Sequence, residues 1–124
     1  MQWRSVYRVI PVPIFYTDEM ADDVGGYAWL GAVWIRARYA NDEGLHQHEL
    51  EHVRQFWTLP IAHGLLYKFV RRYRLWSEAA AYKIQMKFPN GNGVPLTLVG
   101  AATHLRSKRY RFGLTVEQAM EALT

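Results

Sequence analysis

His48-Glu49-Leu50-Glu51-His52 is the stretch from which the rest of the chain is read. In a helix, residues i and i+4 lie one turn apart on the same face, so His48 and His52 point together. Two neutral imidazoles at that spacing can share one zinc ion, with Glu49 placed to act on a water beside the metal. On the helical wheel His48, Glu49 and His52 share the apolar face with Leu45, Val53 and Phe56, while Gln47, Leu50, Glu51 and Arg54 take the far side. Two histidines and a carboxylate turned toward a core cost on the order of several kcal/mol unless something satisfies them. A metal ion would do so. A solvated helix face with coincidental spacing explains a lone histidine better than it explains this trio.

Length and composition set the frame. A chain of 124 residues suits one domain, residues 1–124, with one core. Half the residues are hydrophobic and 15% are aromatic, enough to fold rather than stay disordered. There is no cysteine, which excludes disulfides, thiolate zinc sites and a cysteine nucleophile, so any metal ligands come from His, Asp and Glu. The alternating residues after Met1 do not resemble a secretory signal. The longest apolar run, residues 27–35, is far short of the ~20 needed to span a bilayer. No transmembrane segment and a cytoplasmic location are expected. The net charge is +4, concentrated in Lys68, Arg71, Arg72 and Arg74 and in Arg106, Lys108, Arg109 and Arg111. Such clusters can meet an anionic partner, although solvated helix faces are the more ordinary explanation.

Residues 3–10 alternate and are rich in β-branched and aromatic types, which predicts a strand that Pro11 and Pro13 end or confine to a sheet edge. Residues 17–26 read as an acidic loop. Residues 27–39 give the strongest strand signal, with Gly31 marking a bend or bulge. Within it Trp34, Arg36 and Arg38 form a polar-leaning face. Asn41 or Asp42 can cap the motif helix, predicted over 43–57. Further helices are predicted over 61–74, with Leu65, Leu66, Phe69, Val70 and Tyr73 on the apolar side, and over 76–88, 95–107 and 116–123. Thr115 with Gln118 looks like a capping box opening the last. The fold class expected is α+β: an N-terminal antiparallel or mixed sheet followed by about four to five helices.

A catalytic zinc site usually has three protein ligands and one open position. Glu78 is the best third ligand, on a separate helix next to small alanines; the ordinary alternative is a first-turn glutamate that favours the helix N-terminus. Asp42, His46, His63 and His104 are weaker candidates. The longer H-E-x-x-H-x-x-G-x-x-H pattern fails, because Gln55 and Thr58 stand where it needs Gly and His.

The motif followed by Glu78 resembles the gluzincin branch of zinc metallopeptidases, in particular minimal single-domain members, and residues 48–55 are similar to the motif helix of small bacterial and phage-encoded metallopeptidases. The matching part covers about residues 33–88. The resemblance implies a zincin-like fold in which a sheet with a substrate-binding edge strand precedes a motif helix and a ligand-bearing helix. It implies Zn2+ held by His48, His52 and Glu78, Glu49 as general base, and a Tyr or His as oxyanion donor. No motif fixes that donor; Tyr82, one turn after Glu78, is the candidate chosen, with His104 and Tyr110 as others. Asp42 and Glu51 are candidates to orient the imidazoles.

The expected function is therefore zinc-dependent hydrolysis of a peptide or protein substrate. The rivals are a non-catalytic zinc-binding structural protein, a peptidase working on nucleic-acid-bound proteins through its basic clusters, and an interaction module with a vestigial motif. The first 26 residues are expected to wrap over the cleft.

Overall fold

The computed structural model describes residues 1–107 and 110–124. Four strands come first: β1 (Gln2–Val6), β2 (Ile10–Thr17), β3 (Gly26–Trp29) and β4 (Ala32–Arg36). A single 3-10 turn (Ala37–Tyr39) leads to five helices: α1 (Glu43–Thr58), α2 (Ala62–Phe69), α3 (Arg71–Gln85), α4 (Leu98–Leu105) and α5 (Val116–Ala122). The strand order is β1-β2-β4-β3, antiparallel at both flanks and parallel between β2 and β4. The fold is α+β with a mixed sheet, as expected.

The strand predicted over 3–10 is a hairpin instead. The chain reverses at Tyr7-Arg8, whose φ angles are 51° and 66°, and Val6 pairs with Ile10. Non-glycine residues seldom adopt this left-handed backbone, so no turn signal marked the reversal. Pro11 and Pro13 lie inside β2, in the half that β4 does not reach: β4 pairs only with Ile14–Thr17. A missing N–H is tolerated there. Gly31 forms a tight reversal rather than a bend: Leu30 and Gly31 have φ of 49° and 83°, and Trp29 pairs directly with Ala32. Of the first 26 residues only Asp23, Gly25 and Gly26 line the cleft described below; the others do not wrap over it. They supply β1 and β2, and β1 is the sheet edge opposite β3.

Arg36 is buried rather than part of a solvated face. Its guanidinium donates to the carbonyls of Ala21 (2.6 Å) and Val24 (2.9 Å), folding the acidic loop back on β4. The helix predicted over 61–74 breaks at Val70, which is extended (φ −110°, ψ 103°). α3 therefore begins at Arg71, and Glu78 sits in mid-helix rather than in a first turn. Leu65 and Phe69, expected on a core-facing side, are exposed. α4 starts later than predicted, capped by Thr97, whose hydroxyl accepts from Gly100 N at 3.0 Å. The Thr115–Gln118 capping box is present.

Two apolar clusters hold the chain. The first joins Val6, Val12, Ile14, Val33 and Ile35 of the sheet to Leu50 and Val53 of α1. The second joins Ala79 and Tyr82 of α3 to Ala101, Ala102 and Leu105 of α4 and to Tyr110, Phe112, Ala119 and Leu123. α1 is thus buried on two sides, one against the sheet and one against α3. Gly44 makes the close approach possible: a Cβ there would lie 3.1 Å from the Phe88 carbonyl oxygen and 3.2 Å from that of Gln85. The motif residues lie at this junction.

Candidate metal centre

α1 forms for local reasons. Asp42 caps it, accepting from Leu45 N at 2.9 Å, and Glu43 occupies its first turn. Arg4 on β1 grips the Glu43 carboxylate through both terminal nitrogens at 2.9 and 2.7 Å, so the helix start is tied to the sheet. His46 faces away from His48: its Nδ1 donates to the Asp42 carbonyl (2.6 Å) and its Nε2 meets the Tyr16 hydroxyl (2.9 Å).

His48, His52 and Glu78 are all buried, and each offers an atom such that all lie within 4.8 Å of one another. Glu78 Oε1 is 3.3 Å from His48 Nε2, and Glu78 Oε2 is 3.3 Å from His52 Nε2. Ligand atoms about 2.0–2.1 Å from a single zinc at tetrahedral angles stand roughly 3.3 Å apart. A direct charge-assisted N–H···O bond is shorter, about 2.7–2.9 Å. The spacing therefore suits a shared cation better than a direct ion pair.

The hydrogen-bond network points the same way. The Gln55 amide nitrogen donates to the Ser77 carbonyl at 3.2 Å, which turns Gln55 Oε1 toward His52 Nδ1 at 3.1 Å. The Ser77 hydroxyl also donates to Gln55 Oε1. His52 therefore carries its proton on Nδ1, an assignment read from its partners. A neutral His52 then aims the lone pair of Nε2 at the Glu78 carboxylate. A proton shared by the pair or a metal ion relieves this opposition of lone pairs. In the first case burial opposes the cation, but the Glu78 carboxylate outweighs it and lifts His52 to about 9. Burial likewise pushes Glu78 up, but His52 and His48 hold it well below the ordinary carboxylate value. In the second case the metal replaces that proton. His48 Nδ1 is buried with no partner among the described residues. The donor set of two imidazoles and one carboxylate fits zinc.

Glu49 is buried beside the trio, with Oε1 3.7 Å from His48 Nε2. Gly26, the first residue of β3, lies over it: a Cβ there would be 3.5 Å from Glu49 Cγ. A cleft of about 990 Å³ opens here, between the β3 edge and α2, and takes in His48, Glu49, His52, Glu78, Tyr67, Tyr82, His104 and Tyr110. Tyr82 sets its ring edge-on to His48 at 4.4 Å, and its hydroxyl lies 2.8 Å from that of Tyr110.

Several residues here escaped the sequence reading. The Tyr67 hydroxyl donates to Glu78 Oε2. The break at Val70 folds α2 back to make this contact, and no local signal announces it. Gln55 and Ser77, rather than Asp42 or Glu51, hold the outer nitrogen of His52. His63 stays outside the ligand cluster, and its Nδ1 meets the Tyr73 hydroxyl at 2.7 Å.

The basic clusters are partly engaged by backbone carbonyls of the chain itself. Arg71 donates to the Phe112 carbonyl, and Arg74 to those of Tyr67 (3.0 Å) and Tyr110 (3.3 Å). Arg106 donates to the Leu114 carbonyl at 3.0 Å; Lys68, Arg71, Arg72, Arg106 and Arg111 are all exposed. Lys108 and Arg109 lie outside the described residues. No described helix is long and apolar enough to cross a membrane. The chain matches no protein-family model, no curated protein and no solved structure.

Proposed function

We propose that the chain is a zinc-dependent peptidase of the H-E-x-x-H plus Glu type. The observation that carries this is the convergence of His48, His52 and Glu78 within 4.8 Å, with Glu49 beside them in an open cleft. His48 and His52 would hold the metal through Nε2, and Glu78 through its carboxylate. Zinc, when bound, supplies a Lewis acid that lowers the pKa of water toward ~7 and polarises a carbonyl.

This chain's own residues do the rest. The Glu49 carboxylate takes a proton from the attacking water and delivers it to the departing nitrogen. Its burial keeps bulk water from competing for that proton. β3 has β4 on one side only, so its outer edge can take an extended peptide backbone as a further strand across the cleft. Tyr67 holds the Glu78 carboxylate in place. Tyr82, braced by Tyr110 and packed on His48, is the proposed donor to the developing oxyanion.

A second reading has a specific observation behind it. The trio spans the junction between the two apolar clusters, where a metal would brace α1 against α3 without any hydrolysis. Glu49→Gln separates the two. The peptidase reading expects zinc binding and folding to persist while cleavage of a broad peptide mixture, followed by mass spectrometry, falls by about 10²-fold or more. Wild-type protein that carries zinc yet cleaves nothing in that mixture, and unfolds on chelation, favours the bracing role.

A further inference from the structure

The parallel register of β2 and β4 polarises the molecule. The C-terminal ends of these strands, Thr17 and Arg36, are paired, and the acidic loop with Asp18, Glu19, Asp22 and Asp23 leaves from there. The opposite end of the sheet carries both hairpin turns. It also receives the C-terminus of α1: the Tyr7 hydroxyl lies 3.0 Å from Thr58 Oγ1, and a Cβ on Gly31 would lie 3.4 Å from Trp57 Nε1. Three chain reversals therefore meet at one end.

What they present is apolar. Val9 is 80% exposed, Leu30 69%, Trp29 62% and Ile61 84%, with Tyr7 and Trp57 beside them. The reversals that build this end, residues 6–12, 28–33 and 53–61, contain no Asp or Glu. Arg8 lies exposed in the first turn. Local folding does not account for these choices. Reversals with positive φ favour Asn, Asp and Gly, and each other residue held there costs about 1 kcal/mol. Arg8 and Leu30 bear that strain while exposed, contributing little to the core, whereas the Tyr7 hydroxyl is held at Thr58.

We infer that this end of the molecule docks on an anionic membrane surface, inserting its hairpin and corner side chains among the headgroups. Exposed tryptophan, tyrosine and aliphatic side chains beside the Arg8 cation, in turns free of carboxylates, suit such an interface. The acidic loop at the far end reinforces the orientation, because an anionic surface repels it. The inference stands independently of any hydrolysis.

The test is co-sedimentation of the full chain with vesicles of phosphatidylglycerol and phosphatidylcholine, beside vesicles of phosphatidylcholine alone. Binding is expected to the mixed vesicles, to weaken with added salt, and to be much lower on the neutral ones. Leu30→Asn and Ile61→Glu together should reduce it by about tenfold or more, since two exposed apolar anchors are lost. Asn suits the left-handed turn, so the thermal midpoint of Leu30→Asn should hold or rise, which separates docking from folding. No binding to mixed vesicles, or equal binding by the double variant, overturns the inference. So does a wild-type chain that self-associates through this end in place of binding lipid.

Discussion

His52 and Glu78, separated by 26 residues in sequence, face each other across the α1–α3 junction with 3.3 Å between Nε2 and the carboxylate. The other nitrogen of His52 is committed to Gln55 and Ser77, so a proton or a metal ion is what joins Nε2 to the carboxylate. A proton and a metal ion compete for the same place, and the first prediction follows from that competition. The metal-free His52 is raised from 6.5 to about 9. A raised histidine stabilises the fold fully below its unfolded value and loses that contribution as pH climbs through about 9. Zinc requires the neutral imidazole. Loading near neutral pH should therefore expel about one proton or more per zinc. Calorimetric titrations in buffers of different ionisation enthalpy read this directly, and uptake without proton release contradicts it.

Ser77 and Gln55 should matter to metal affinity although neither can reach the metal. Outer partners of metal-bound histidines are commonly worth ~10–100-fold in affinity. Ser77→Ala and Gln55→Leu should each weaken zinc in that range, measured by competition with a chromogenic chelator, while saturating zinc restores full stoichiometry. Unchanged affinity in both would mean that packing alone orients the ring.

The Arg4–Glu43 pair should be visible in acid unfolding. The Arg4 guanidinium holds Glu43 down from 4.5 to about 2. The associated stability is present above the unfolded value and drains away as pH falls through about 2. Both side chains are partly solvated, so the contribution is small, about 0.5–1 kcal/mol after allowing for screening. Arg4→Met should lose that amount at neutral pH in urea titrations and converge with the wild type in strong acid. A constant difference at every pH would show that packing, not charge, is lost.

Gly44 is a packing requirement. Alanine gains helix propensity worth about 1 kcal/mol, but its methyl meets two backbone carbonyls that cannot swing aside. Overpacking costs about 1–3 kcal/mol. Gly44→Ala should therefore be destabilising on balance, and zinc affinity should fall with it as α3 is pushed from α1. A stabilised variant would refute the close approach.

How much of this was legible in the chain differs from residue to residue. The motif helix was readable to within a residue at its C-terminus, because Asp42 caps it and its periodicity is local. The Thr115–Gln118 box was readable for the same reason. The reversals at Tyr7-Arg8 and Leu30-Gly31 were hidden because three of those four residues are not ones that favour positive φ. The break at Val70 was hidden because Phe69 and Val70 continue an apolar pattern, which sequence alone cannot tell from a buried face. At the site, the His48–His52 spacing and Glu78 could be inferred from motif chemistry. Tyr67, Gln55 and Ser77 could not, since their roles arise only when separate helices meet.

The most direct test of the account is zinc content by elemental analysis of protein purified without chelator, for the wild type, Glu49→Gln and Glu78→Ala. About one zinc per chain in the first two and far less in Glu78→Ala is the predicted result. A wild-type chain that carries no metal and takes up none when zinc is added would contradict the account, leaving His52 and Glu78 as a buried proton-bridged pair.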